Sequence, residues 1–95
     1  MIPQDELGKA IELARKYGAG KLFLFGSSLH KGPEEIDDFD FAVQDLEPGK
    51  FFRFYGELFR ALSKNVDLVD LSGEPTKFKE IILREGKLVY DKESA

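Results

Sequence analysis

The segment from Leu22 to Val43 constrains the fold more than any other part of this chain. It opens with the apolar run Leu22-Phe-Leu-Phe and turns at Gly26-Ser27. After ten further residues it reaches Asp38 and Asp40. A short, continuously apolar run is typical of a strand that is buried on both faces of a sheet. We therefore predict a strand over residues 21–25 that ends in a glycine turn.

The alternation of residues 38–44 predicts a second strand. Asp38, Asp40 and Ala42 would face one side of the sheet, while the three apolar residues between and after them face the other. Side chains two residues apart lie ~7 Å apart along a strand. Two carboxylates so placed repel each other unless they are exposed or bridged by a cation, and a pair of magnesium ions uses such ligands. The alternative is the solvent-facing side of an amphipathic strand.

A third acidic strand is predicted over residues 66–71. It carries Asp67 and Asp70, which a period of two places on opposite faces, so only one of them can join the other carboxylates. Asp67 is favoured because it lies near the start of its strand, as Asp38 and Asp40 do. Asp70 would instead end the strand or cap the next helix.

The Gly26-Ser27 turn is a candidate anion site. Glycine lets the backbone approach a ligand closely, and free N–H groups at the start of a helical turn bind phosphates. The residues that follow, 27–37, predict a loop that opens with such a turn, and Pro33 limits any helix there. An ordinary strand-ending turn is the alternative.

The remaining segments predict three helices, over residues 4–17, 49–63 and 75–85, and a final strand over residues 87–90. The order α-β-β-α-β-α-β indicates an α/β (α+β) fold, a small mixed sheet with helices packed against one face. The predicted inward-facing side chains are Leu7, Ala10, Ile11, Ala14 and Tyr17 in the first helix, Phe51, Tyr55, Leu58, Phe59 and Leu62 in the second, and Phe78, Ile81 and Ile82 in the third.

Composition narrows the chemistry. A length of 95 residues indicates a single domain over residues 1–95. The absence of cysteine excludes disulfides and thiolate metal sites, and the single His30 excludes a multi-histidine zinc site within one chain. A metal would therefore be oxygen-liganded, such as Mg²⁺ or Mn²⁺. The net charge of −4 argues against broad nucleic-acid binding. With no membrane-length apolar run and no signal-peptide pattern, we expect a cytoplasmic protein.

Together these features resemble the minimal nucleotidyltransferase (MNT) group of the DNA polymerase beta superfamily. The signature of that group is Gly-Ser, ten residues, Asp, one residue and Asp at the end of an apolar strand. Gly26-Ser27 and Asp38-Phe-Asp40 match it without a gap. Asp67 matches the third carboxylate, early in a strand. The segment 81–90 is similar to the group's C-terminal helix, Glu-Gly and short strand.

The resemblance implies a nucleotidyltransferase fold and a chemistry. Asp38, Asp40 and Asp67 would be the catalytic and metal-binding residues, holding Mg²⁺ or Mn²⁺. Gly26, Ser27 and Ser28 would bind the nucleotide, ATP or another NTP. The reaction would transfer a nucleoside monophosphate, AMP in the leading case, to an acceptor hydroxyl. Many small members are antitoxins of HEPN-type ribonuclease toxins, some of which they silence by transferring AMP to a toxin tyrosine. A HEPN-type toxin is thus the implied partner.

Departures from the family pattern keep other functions open. Ser28 stands where the family often has a basic residue, for which His30 or Lys31 is a candidate substitute. Asp37 replaces a small residue, and Gly32 lies one position late. The main alternative is therefore a catalytically weak or inactive module that keeps the fold and blocks its partner sterically. A free-standing enzyme acting on small molecules is less favoured, because 95 residues leave little room for an acceptor domain.

The aromatic content of the second predicted helix indicates a partner surface. Five aromatic residues fall within residues 51–59. Phe52 and Phe54 cannot both lie on the inward stripe of that helix. Exposed aromatic side chains that lie together mark an interface, so we predict contact with a protein partner or with a second copy of the chain.

Overall fold

The computed structural model describes residues 1–94, which contain four α-helices and four β-strands. A four-residue helix forms at the start of the predicted loop, and every predicted helix and strand is present with small shifts at its ends. In chain order the elements are α1 (Gln4–Lys16), β1 (Lys21–Leu24), α2 (Ser27–His30), β2 (Asp38–Gln44), α3 (Phe51–Ala61), β3 (Asn65–Asp70), α4 (Lys77–Glu85) and β4 (Lys87–Asp91).

The strands form a mixed sheet in the order β3-β2-β1-β4. β1 is antiparallel to both β2 and β4, and β2 is parallel to β3. Parallel neighbours need a crossover connection, and α3 provides it between β2 and β3. This confirms the predicted mixed sheet and places the acidic strand β3 directly beside β2.

A first core fills the space between the sheet and helices α1 and α3. Every second residue of β2 contributes to it, as the alternation predicts, with Phe39, Phe41 and Val43 all buried. Polar contacts also join α1 to the segment just after α3: Glu6 of α1 accepts a hydrogen bond from the backbone N–H of Ser63, two residues beyond α3, at 3.2 Å. These contacts hold α1 and α3 against the same face.

A smaller second core lies on the opposite face of the sheet. Ile82 of α4 packs there with Phe23 of β1, Ala42 of β2 and Leu71 just after β3. β1 is thus buried on both faces, as predicted. The prediction that helices cover one face is wrong, because α4 returns along this second face.

The predicted inward stripes are correct for α1 and partly wrong for α3 and α4. In α3, Phe54 is completely buried, whereas Phe59 is 50% exposed. In α4, Ile82 is buried but Phe78 and Ile81 are exposed. The reason is that Phe54 and Leu58, one turn apart, define the contact line of α3. In α4, Phe78 and Ile81 stay exposed because β2 and β3 present aspartates as well as apolar side chains on the face that α4 covers.

Two further expectations concern the limits of the chain and the membrane. The end of the predicted domain, Ala95, lies outside the described residues. No helix within residues 1–94 has the length and apolar character that crossing a membrane requires.

The two phenylalanines of α3 offer a matched test of this packing. We expect Phe54→Ala to lower the free energy of unfolding by about 3–5 kcal/mol, because it leaves a cavity in the first core. Phe52→Ala should change it by less than about 0.5 kcal/mol, because Phe52 is 80% exposed. Urea unfolding followed by circular dichroism measures both values. Similar losses in the two variants would contradict the assigned orientation of α3.

Candidate functional site

The turn after β1 adopts a conformation that only glycine tolerates at its first position. Gly26 has φ +62° and ψ −143°, and a Cβ atom there would lie 2.7 Å from the Oδ2 atom of Asp40. The Gly26 carbonyl then accepts hydrogen bonds from the N–H groups of Leu29 and His30 at 3.1 and 3.2 Å, which starts α2. Glycine thus brings the backbone against an aspartate and begins a helical turn at the same place.

Ser28 connects this turn to β2. Its side chain is completely buried. Its hydroxyl accepts a hydrogen bond from the N–H of Asp40 at 2.7 Å and donates one to the carbonyl of Asp38 at 3.2 Å. The hydroxyl is therefore engaged with the strand. Only the backbone of Ser28 remains for the predicted nucleotide contact, whereas the side chain of the half-buried Ser27 makes a hydrogen bond with Asp40.

The first two residues of the chain hold the other side of α2. The N–H of Ile2 donates to the Ser28 carbonyl at 2.8 Å, and the terminal amino group of Met1 donates to the Lys31 carbonyl. The Ile2 side chain is buried in the first core. Sequence reasoning missed this contribution, for which the only available signal is an isolated apolar residue before Pro3.

The three predicted aspartates lie on one face of the sheet. Asp40 is the register partner of Asp67 across the parallel pair of β2 and β3, and Asp38 lies two residues earlier on the same side of β2. Asp38 and Asp40 are half-buried and Asp67 is exposed. The structure thus brings together Asp38, Asp40 and Asp67, with Gly26 and Ser27 beside them.

Asp70 does not join this cluster. It lies an odd number of residues from Asp67, so its side chain belongs to the opposite face. Its carboxylate accepts hydrogen bonds from the backbone N–H and the hydroxyl of Ser72, at 2.9 and 2.7 Å. Asp70 therefore closes the end of β3, which is the role that its position in the sequence predicts.

Burial and, after it, the crowding of negative charge determine the electrostatics of the cluster. Burial, together with the negative charges of Asp67 and Asp38, raises the pKa of Asp40 from 3.8 to about 6. A hydrogen bond to Asp67 acts in the same direction, whereas one from the Ser27 side chain lowers the pKa of Asp40. A hydrogen bond between two carboxyl groups requires a proton on one of them. Because the pKa of Asp40 is about 6, its carboxyl is mostly ionised at neutral pH, and the cluster is then negatively charged.

These residues suit an oxygen-liganded divalent cation. Among residues 1–94, no three or more histidine, aspartate or glutamate side chains form a ready-made metal cage, so coordination would require side-chain rotation. The donors at hand are carboxylates and a serine hydroxyl, which match Mg²⁺ or Mn²⁺ and not zinc. A cation would also relieve the repulsion that raises the pKa of Asp40.

The sequence as a whole matches a known family. Residues 9–95 fit the family described as polymerase beta, nucleotidyltransferase. The chain belongs to this family. No curated protein sequence matches it. The family assignment confirms the predicted nucleotidyltransferase fold.

Solved structures place the chain beside MNT antitoxins. A chain of the toxin–antitoxin MntA-HepT is 26% identical, with a TM-score of 0.71 over 97% of this chain and 75% of that one. A chain of a toxin–antitoxin structure with AMP-PNP is 27% identical, with a TM-score of 0.74 over 93% of this chain and 75% of that one. A chain of the complex of the tri-AMPylated Shewanella oneidensis HEPN toxin with MNT antitoxin is 26% identical, with a TM-score of 0.70 over 96% of this chain and 74% of that one. These similarities confirm the resemblance to MNT antitoxins.

The raised pKa of Asp40 makes a testable prediction about stability. The folded-state value of about 6 exceeds the ordinary 3.8, so the folded state holds a proton that the unfolded state releases. Binding of this proton stabilises the folded state fully below about pH 4, and the stabilisation is lost as the pH rises through about 6. We expect metal-free Asp40→Asn to match wild type near pH 4. At pH 7.5 it should be more stable by about 1 kcal/mol, a value reduced for the partial exposure of Asp40.

Urea unfolding in EDTA at the two pH values measures this difference. Asp37→Asn, at an exposed neighbouring position, controls for the loss of one negative charge from the same segment. A difference between Asp40→Asn and wild type that is independent of pH would show that the carboxylate cluster does not strain the fold.

Proposed function

We propose that this chain is a metal-dependent nucleotidyltransferase that transfers AMP from ATP to an acceptor hydroxyl. The observation that supports this most is the placement of Asp38, Asp40 and Asp67 on one face of the sheet, directly beside the Gly26 turn. Family membership supports the general reaction class. The metal, the adenine nucleotide and the roles of the individual residues belong to the proposal.

The turn at Gly26 would bind the phosphates. The first N–H groups of a helix have no partner within the helix, and those of Ser27 and Ser28 stand at the start of α2. The Ser27 hydroxyl lies at the same point and already contacts Asp40. The backbone and one side chain would thus bind a phosphate chain next to the carboxylates. Ser28 would hold the turn to β2 and contribute through its N–H alone.

The aspartates would bind the metal ion and accept a proton. Asp38, Asp40 and Asp67 would hold Mg²⁺ or Mn²⁺, which when bound neutralises phosphate charge during an in-line displacement. Asp67, the exposed member at the outer strand, would accept the proton of the acceptor hydroxyl. The acceptor oxygen forms its bond to the α-phosphorus while the bond to pyrophosphate breaks. Fixed positions of the reacting groups supply much of the rate.

The proposed acceptor is a tyrosine hydroxyl of a HEPN-type toxin, which would make this chain an antitoxin. Its similarity to a chain of the tri-AMPylated HEPN toxin complex supports this partner. On this chain the aromatic side of α3 is the candidate contact surface. Phe51 contacts both Phe52 and Tyr55, and Tyr55 contacts Phe59, so a row of aromatic rings continues to the exposed Phe52 and Phe59. Association with a second copy remains a prediction.

One observation favours a second candidate function. The residue after Gly26-Ser27 is a buried serine, so no basic side chain extends from that position toward a triphosphate. A module that binds the toxin and blocks it without transferring AMP would tolerate this residue.

Substitution of the aspartates separates the two functions. We expect Asp38→Asn and Asp40→Asn each to lower AMP transfer about 100-fold to 1,000-fold, because each removes a metal-binding charge. Neither should unfold the domain. The measurement is transfer of label from α-labelled ATP to a purified HEPN toxin in the presence of Mg²⁺. Asp70→Asn is the matched control, since its carboxylate lies on the other face, and it should keep transfer.

Two results would contradict the catalytic proposal. One is a wild-type chain that neutralises the toxin without transferring label, which is the outcome for a steric module. The other is a large loss of metal-free stability in Asp38→Asn, which would make that aspartate a structural residue.

The aromatic surface of α3 has its own test. We expect Phe52→Asp to weaken association with the toxin while leaving the melting temperature and ATP binding unchanged, because Phe52 is 80% exposed and lies away from the carboxylate strands. Arg53→Ala, at an exposed neighbour on the same helix, controls for the charge, because it also makes the helix more negative by one unit. Light scattering and a pull-down with tagged toxin measure the association. Equal binding by wild type and Phe52→Asp would exclude this surface.

A further inference from the structure

A pocket of about 270 Å³ opens beside the Gly26 turn, between the end of β1 and α4. Gly26 itself forms part of its wall, so the pocket adjoins the candidate phosphate site. The other residues that the argument uses are Phe25, Phe78 and Ile81, which make the wall apolar, and His30 and Glu85, which add polar groups.

The pocket faces the same side of the sheet as the aspartates. Phe25 follows Phe23 of the second core by two residues, which places both side chains on that face. The N–H of Phe25 donates to the carbonyl of Asp40 at 3.2 Å. The aromatic wall therefore begins on the strand next to Asp40, and a ligand that contacts the Gly26 turn can extend into the pocket.

One aromatic residue of this pocket, Phe78, is more exposed than core packing alone explains. Phe78 is 54% exposed although it lies edge-on against Phe25, with ring centroids 5.9 Å apart. Neither core includes Phe78. Ligand pockets typically combine apolar and aromatic walls with a few polar groups, and that is the composition found here.

We propose that this pocket binds the nucleobase of the nucleoside triphosphate, with Phe78 contacting the face of the base. This inference rests on the proposed function. A planar base stacks on an aromatic ring, whereas a phosphate chain is disfavoured by an apolar wall that also carries the Glu85 carboxylate. Glu85 can accept a hydrogen bond from an exocyclic amino group, which favours adenine over uracil or thymine.

Comparison of two ligands isolates the contribution of the base. The probes are ATP and inorganic tripolyphosphate, each with Mg²⁺, measured by calorimetry on the whole chain. For wild type we expect ATP to bind about tenfold more tightly than tripolyphosphate, as stacking of one base predicts. Phe78→Ala should remove this difference and leave tripolyphosphate binding unchanged, and Phe78→Tyr, which keeps the ring, should restore it.

Leu83→Ala is the matched control, because it removes an exposed apolar side chain of α4 that does not line the pocket and should change neither affinity. Three results would overturn the base site. In the first, Phe78→Ala weakens both ligands or neither. In the second, ATP affinity is kept but AMP transfer is lost, which would assign the pocket to the acceptor. In the third, wild type binds tripolyphosphate and ATP equally. If wild type binds neither ligand, the proposed function fails together with the base site.

Discussion

The arrangement of the candidate site depends on one buried hydroxyl. Ser28 joins the backbone on both sides of Phe39 in β2 to the turn that follows β1. It thereby fixes the distance between the N–H groups at the start of α2 and the two aspartates of β2. Gly26 permits the same close approach from its side, since any Cβ would collide with Asp40. A buried hydroxyl left without partners is unfavourable, so the turn and the strand are expected to move as one unit.

The fold holds the carboxylates in place against their mutual repulsion. β2 lies between β1 and β3 and buries Phe39 and Phe41 on the side opposite the aspartates. Hydrophobic burial on one face therefore maintains the accumulation of charge on the other, which is visible in the raised pKa of Asp40. Strained groups of this kind cluster at functional sites. In this chain the strain offers a reason for a cation to bind.

The two faces of the sheet also differ in how completely they are covered. α1 and α3 complete the first core, whereas α4 covers its face mainly through Ile82 and leaves Phe78 exposed beside the Gly26 turn. The outer side of α3 leaves Phe52 and Phe59 exposed as well. A small domain thus presents apolar surface in two separate places. We assign the one beside the turn to a ligand and the one on α3 to a protein partner.

The sequence by itself determined the order of the elements, the mixed sheet and the division of β3 between Asp67 and Asp70. The first two follow from the alternation of strand and helix patterns along the chain, and the third from local periodicity, since a period of two assigns each strand residue to a face without knowledge of its neighbours. The spacing from Gly26 to Asp40 likewise pointed to the region of the candidate site. Only the tertiary structure decided that Ser28 is buried, that Phe54 rather than Phe59 enters the core, and that α4 covers the second face. Periodicity defines a stripe but not which distant element packs on it or which distant backbone group a hydroxyl binds.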